Sequence, residues 1–143
     1  MEKTLSEQNL DRDAVIELLK RHGITPTQQR IEIAQILFAR PQHLSAEQVL
    51  AVVNEQGPLV SKATVYNTLG LFAREGLVRE VIVDPSKVFY DSNTSDHYHF
   101  YNADTGALMD INAEHVQLGN LPPLPEGTES DGVDVIIRLR NRP

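Results

Sequence analysis

The chain has 143 residues, enough for one domain or two small ones, and 41% of them are hydrophobic, enough for a core. It contains no cysteine, which excludes disulfides, thiolate zinc sites, iron–sulfur clusters and thiol redox switches. Its net charge of −7 argues at face value against a nucleic-acid partner.

That charge is unevenly spread. Residues 1–84 hold nine Lys/Arg against eleven Asp/Glu, whereas residues 85–143 hold four against nine. The N-terminal part is close to balance and can carry a local basic face. The N-terminus shows no apolar core of the signal-peptide kind. No apolar run approaches the roughly 18 residues of a membrane span. A cytoplasmic protein without a membrane partner is expected.

Taken in order, residues 11–22 read as a helix. Asp11 caps it, Val15, Ile16, Leu18 and Leu19 form its apolar stripe, and Gly23 ends it. His22 sits where a helix C-terminus favours a cation. A second helix follows Pro26, capped by Thr27 or Thr25, and stops before Pro41. Apolar residues on most of its sides predict deep burial. A third begins at Ser45, with Gln48 placed to complete a capping box. Val49, Val52 and Val53 are predicted to share its buried face, and Gly57-Pro58 to close it.

The fourth helix starts at the cap Ser61 and runs to Gly76. Val65, Leu69 and Phe72 fall within about 60° of one another at 100° per residue. Tyr66, Asn67 and Arg74 lie on the other side, with Lys62 and Thr64 in the first turn. Such groups meet phosphates and base edges. Strand-like residues 77–83 and 87–90 then flank the turn Asp84-Pro85-Ser86, predicting a two-stranded hairpin. Helices followed by such a hairpin make a winged helix-turn-helix, whose last helix enters the major groove of double-stranded DNA.

The remainder reads as a small α/β domain, making the whole chain α+β. Residues 97–102 and 108–111 predict strands around the turn 102–106. A short helix is expected near 113–118, then a Pro-rich loop. The alternation of Val133, Val135, Ile137 and Leu139 predicts a last strand. So small a sheet is marginal alone, and homodimerisation through it is the simplest remedy. On the first strand, His97 and His99 project to one face, after a run that also holds Asp91 and Asp96. Alone, His-x-His fits ordinary surface histidines. With carboxylates beside it, it suits iron or manganese.

Ala63-Thr64-Val65-Tyr66-Asn67-Thr68-Leu69, Gly76-Leu77-Val78 and Ser95-Asp96-His97-Tyr98-His99 together resemble the ferric uptake regulator superfamily, over residues 11–140. Pro26-Thr27-Gln28-Gln29-Arg30, the wing and the closing residues 133–140 are similar to its iron response regulator branch. The stretch 91–99 is similar to its peroxide-sensing branch.

The resemblance implies a metal-responsive transcriptional regulator, a homodimer on A/T-rich inverted repeats in promoter DNA. Residues 1–91 would bind DNA, and residues 92–143 would dimerise and sense metal. His43, Asp91, His97, His99 and Asp110 correspond to the family's regulatory metal ligands. Three imidazoles and two carboxylates suit Fe²⁺ or Mn²⁺, and zinc can occupy such a set. A metal held by both domains would fix the orientation of the reading heads.

Two departures stand out. The family's cysteine-bound structural zinc has no counterpart, because the corresponding turn is Asn102-Ala103-Asp104-Thr105-Gly106. Its second metal site is matched only by Asp96, Glu114 and His115. A Cys-Pro haem motif is absent and a His-His-His run is His-Tyr-His here, which argues against haem sensing.

Two other classes are compatible with parts of the pattern. One is a non-haem metalloenzyme built on two histidines and a carboxylate. Five protein ligands leave it at most one open position, and it leaves the winged helix unexplained. The other is an adaptor that kept the fold and lost DNA binding.

Overall fold

A computed structural model describes residues 11–55 and 60–143. The Gly57-Pro58 stop expected for the third helix lies outside them. The chain divides into two compact units, Met1–Thr94 and Ser95–Pro143.

The first unit runs α1 (Arg12–Arg21), α2 (Gln28–Leu37), β1 (His43–Ser45), α3 (Ala46–Val53), α4 (Lys62–Arg74), β2 (Arg79–Asp84) and β3 (Lys87–Asp91). Each helix starts where a short polar side chain caps it. Asp11, Thr27, Ser45 and Ser61 have extended backbones, and each accepts a hydrogen bond from the amide three residues on. At Ser45 the box is complete, since the Gln48 side chain also accepts from the Ser45 amide at 2.8 Å. His22 caps α1, its Nδ1 donating to the Leu18 carbonyl. At Gly76 the chain takes φ +76°, which lets the Leu77 amide reach back to the Phe72 carbonyl. That turn drops Leu77 and Val78 into the core before β2 begins.

The core of this unit gathers Val15, Leu19, Ile33, Leu37, Val49, Val65, Leu69 and Phe72, all fully buried. Burying each such side chain stabilises the fold by about 1.5–3 kcal/mol. The expected face of α3 needs correction. Val49 and Val53 are buried with Ala46, but Val52 is 40% exposed. Val52 lies about 60° beyond Val49 on the side away from Val53, past the edge of the stripe.

The expected two-stranded hairpin is a three-stranded sheet in the order β1-β3-β2. Strand β1 joins β3 antiparallel, pairing His43 with Asp91, Leu44 with Tyr90 and Ser45 with Phe89. Three residues are too few to show alternation, so periodicity could not reveal this strand.

The second unit holds β4 (His97–Asn102), β5 (Leu108–Asn112), a single 3₁₀ turn (Ala113–His115) and β6 (Ile136–Leu139). The order is β5-β4-β6, with β4 antiparallel to β5 and parallel to β6. Along β4, His97, His99 and Tyr101 are buried, and Tyr98, Phe100 and Asn102 are half-buried.

Two expectations are corrected in this unit. The helix near 113–118 is only the 3₁₀ turn, with Val116 already extended (φ −126°). Too few residues separate it from Gly119 to offset the cost of helix nucleation. The last strand is shorter than the alternation suggested, and Val133 before it is exposed. Beyond β6, Asn102 Nδ2 donates to Asn141 Oδ1 at 2.9 Å, and the Asn141 amide donates to Asp104 at 2.7 Å. This clip ties Asn141 to the turn that follows β4. Phe100 pairs with Met109 on one side and Ile137 on the other, and both partners are more than 40% exposed. No helix among the described residues is long and apolar enough to cross a membrane.

Candidate functional site

The metal-capable residues fall into two sets, one on each unit. In the second unit the alternation of β4 puts His97 and His99 on its buried face, with ring centroids 4.6 Å apart and planes 63° apart. Register places Asp110 of β5 directly across from His99. Its Oδ1 lies 3.6 Å from His97 Nε2 and 3.4 Å from His99 Nε2. One carboxylate oxygen thus faces both imidazoles. Two ligand atoms each about 2.1 Å from an ion stand about 3.0–3.6 Å apart for coordination angles between about 90° and 120°, so this spacing fits a bound divalent cation.

The protonation pattern also fits. His97 Nδ1 lies 2.7 Å from the Ser95 carbonyl, which can only accept, so this nitrogen carries the proton. In the neutral ring this leaves the lone pair on Nε2, the atom facing Asp110. A carbonyl behind a ligating histidine fixes its tautomer and ring orientation in this way.

The first unit presents His43 and Asp91 side by side on the paired strands β1 and β3. Directly opposed residues have Cβ atoms about 4.5–5.5 Å apart. Asp91 is 2% exposed and accepts from the Asn93 amide at 2.9 Å. The His43 ring meets Phe89 edge-on at 6.2 Å. Sequence reasoning placed Asp91 beside the β4 histidines but named His43 only through a family resemblance, because the strand that pairs it with Asp91 was not visible. Asp96, Glu114 and His115 do not come together as a ligand group among the described residues.

On α4, Lys62, Tyr66, Asn67 and Arg74 are exposed, whereas Thr64 is half-buried. The Thr64 hydroxyl accepts from Ser61 at the cap, at 3.0 Å. Tyr66 is engaged as well. Its hydroxyl donates to Glu47 of α3 at 2.5 Å, and Lys62 Nζ lies 5.8 Å from its ring centroid. The Tyr66 hydrogen bond holds the Glu47 carboxyl below its ordinary range, and Glu47 in turn raises the Tyr66 phenol. Glu47 was not singled out in the sequence; nothing in its spacing marks a partner nineteen residues away.

A winged helix with a polar outer face on α4, on a chain whose second unit gathers two imidazoles and a carboxylate, defines a metal-responsive transcriptional regulator. The ferric uptake regulator family model matches residues 21–120, and the chain belongs to that family. It is 34% identical over 96 residues to the peroxide operon regulator of Bacillus subtilis, a stretch covering 67% of this chain and 66% of that protein. With the peroxide-responsive repressor PerR of Staphylococcus aureus it shares 31% identity over 111 residues, 78% of this chain and 74% of the relative. Among solved structures it resembles the ferric uptake regulator of Pseudomonas aeruginosa with manganese. There the TM-score is 0.66 at 26% identity, covering 89% of this chain and 97% of that one.

Proposed function

We propose that this protein is a cytoplasmic, homodimeric repressor that binds A/T-rich inverted repeats in promoter DNA under the control of Fe²⁺ or Mn²⁺, with zinc as a competing occupant. Helix α4 lies in the major groove, with Lys62, Thr64, Tyr66, Asn67 and Arg74 as its DNA contacts. The metal ligands are His43, Asp91, His97, His99 and Asp110. Within the second unit, His97, His99 and Asp110 face one another closely enough to share one ion. The observation that carries the reading is the convergence of His97, His99 and Asp110 on one sheet face, with His97 Nδ1 held against the Ser95 carbonyl and its Nε2 turned to Asp110. The apolar row Met109, Phe100 and Ile137 supports a dimer surface on the same unit. The metal acts by favouring one orientation of the reading heads over others, which requires only differential affinity for the two states.

The two curated relatives are peroxide regulators, and this favours a second input. Without cysteine, a peroxide response here runs through iron-catalysed oxidation of a ligand imidazole, His43 or His97. Whether the chain serves iron status, as in the iron response regulator branch, or peroxide is decided by the same preparation.

The test measures affinity for a duplex enriched from a random library, with Mn²⁺ and with EDTA, and mass-analyses the Fe²⁺-loaded protein after peroxide. A metal-dependent change of about tenfold is expected, lost in His99→Ala. Equal affinity in Mn²⁺ and EDTA would sink the sensor reading, and no added oxygen on either histidine peptide would sink the peroxide one.

A further inference from the structure

We propose that Glu47 is a positioning residue for DNA recognition: its carboxylate fixes the Tyr66 side chain on the outer face of α4 and so sets the discrimination between operator and unrelated DNA. The inference rests on α4 being the reading helix.

Three observations lead to it. Tyr66 is 38% exposed and lies outside the core, a setting that normally leaves a long aromatic side chain free to change rotamer. Yet its hydroxyl is tied to Glu47 Oε1 on the neighbouring helix, and Lys62 Nζ stands 5.8 Å from its ring. The same pair forms one wall of a cavity of about 280 Å³, bordered by Pro85 and Ser86 of the wing turn and by Tyr90 of β3. The bond therefore fixes Tyr66 where α3, α4 and the wing meet.

Glu47 is also oddly placed for a protein that binds phosphates. An ionised carboxylate beside a DNA-reading face repels the backbone. Its position in the first turn of α3 favours the charge, and the Tyr66 hydroxyl favours it further. Lys62 and Lys87 are the cations that act on it. Its cost to non-specific affinity makes sense if it contributes order in return. A tyrosine held before binding loses less rotamer freedom when its ring meets a base edge or a thymine methyl. Unrelated DNA, held through phosphates, gains nothing from that order.

The experiment uses the full chain with Mn²⁺ and compares affinity for the library-enriched duplex with that for a shuffled duplex of equal composition. Glu47→Ala is expected to weaken the enriched duplex about five- to tenfold and to leave the shuffled duplex unchanged or tighter, so the ratio falls. Glu47→Gln keeps an acceptor and is expected to restore most of the ratio. Tyr66→Phe removes the donor, and adding Glu47→Ala to it should change the ratio little further, the signature of one coupled pair. If Glu47→Ala kept the wild-type ratio, or bound the enriched duplex more tightly, the positioning role would be overturned while α4 remained the reader. If Tyr66→Ala also kept the ratio, the reading of α4 itself would fail.

Discussion

Asp110→Ala provides the sharpest test of the metal centre, because a single oxygen of this residue faces both imidazoles of β4, at 3.6 and 3.4 Å. An ion that binds the folded chain but not the unfolded one stabilises it by about 2.7 kcal/mol at a free concentration 100 times its Kd. For a chain of this length each kcal/mol moves Tm by about 3 °C, so Mn²⁺ at that concentration should raise the wild-type Tm by roughly 8 °C. Loss of an outer partner of a metal ligand already costs about 10–100-fold in affinity, so a directly facing oxygen should cost at least about 100-fold. At the same Mn²⁺ concentration the variant then gains only about 0.4 kcal/mol, or about 1 °C. Asp110 is 54% exposed, so its removal should leave the metal-free protein folded. Thermal unfolding followed by circular dichroism, in Mn²⁺ and in EDTA, reads both numbers. A variant raised by Mn²⁺ as far as wild type would show that this oxygen is not a ligand and that the spacing of the two imidazoles is coincidental.

Two further outcomes test the fold and the electrostatics. Val49→Ala should lower stability by about 2 kcal/mol through the cavity it leaves, whereas Val52→Lys should change it by less than about 0.5 kcal/mol; urea unfolding separates them, and equal losses would contradict the assigned face of α3. The Tyr66 phenol, raised by its bond to Glu47, should titrate above the ordinary 10.0, with ultraviolet absorbance as the readout, and Glu47→Gln should bring it back down. The sign follows from both partners. The lowered Glu47 carboxyl contributes stability above its unfolded value of 4.5 that is lost as pH falls through its folded value. The raised phenol contributes stability below 10.0 that is lost as pH rises through its folded value. A flat stability profile across both ends would refute the contact.

The sequence revealed a great deal where physics is local. Caps at Asp11, Thr27, Ser45 and Ser61, the 3.6-residue stripe of α4 and the alternation of β4 are decided by neighbours a few residues away, and all are found in the fold. What escaped depends on distant partners. Strand β1 exists because β3, more than forty residues later, offers it hydrogen bonds. Strand β6 begins only at Ile136 because its pairing with β4, and not its own alternation, sets where it starts. His97 and His99 could be seen as a pair, but Asp110 joins them through the register of a hairpin. Glu47 could not be seen at all, since an exposed acid in a helix's first turn has a sufficient local explanation.

The parallel pairing of β6 with β4 has a consequence for the order in which the second unit assembles. His97, His99 and Asp110 all sit on a hairpin whose strands are joined by the short turn between Asn102 and Leu108. A hairpin of that kind closes in about 1–10 μs. Strand β6 arrives only after the chain from 113 to 135 has crossed over, and non-local parallel contacts of this sort form late. The trio His97, His99 and Asp110 is thus gathered by the earliest contacts of its unit, before the edge is completed and before Asn141 clips onto Asn102 and Asp104. If these three side chains do hold the ion, an ion that met the nascent chain would find them already within reach and would act as a folding template as well as a signal.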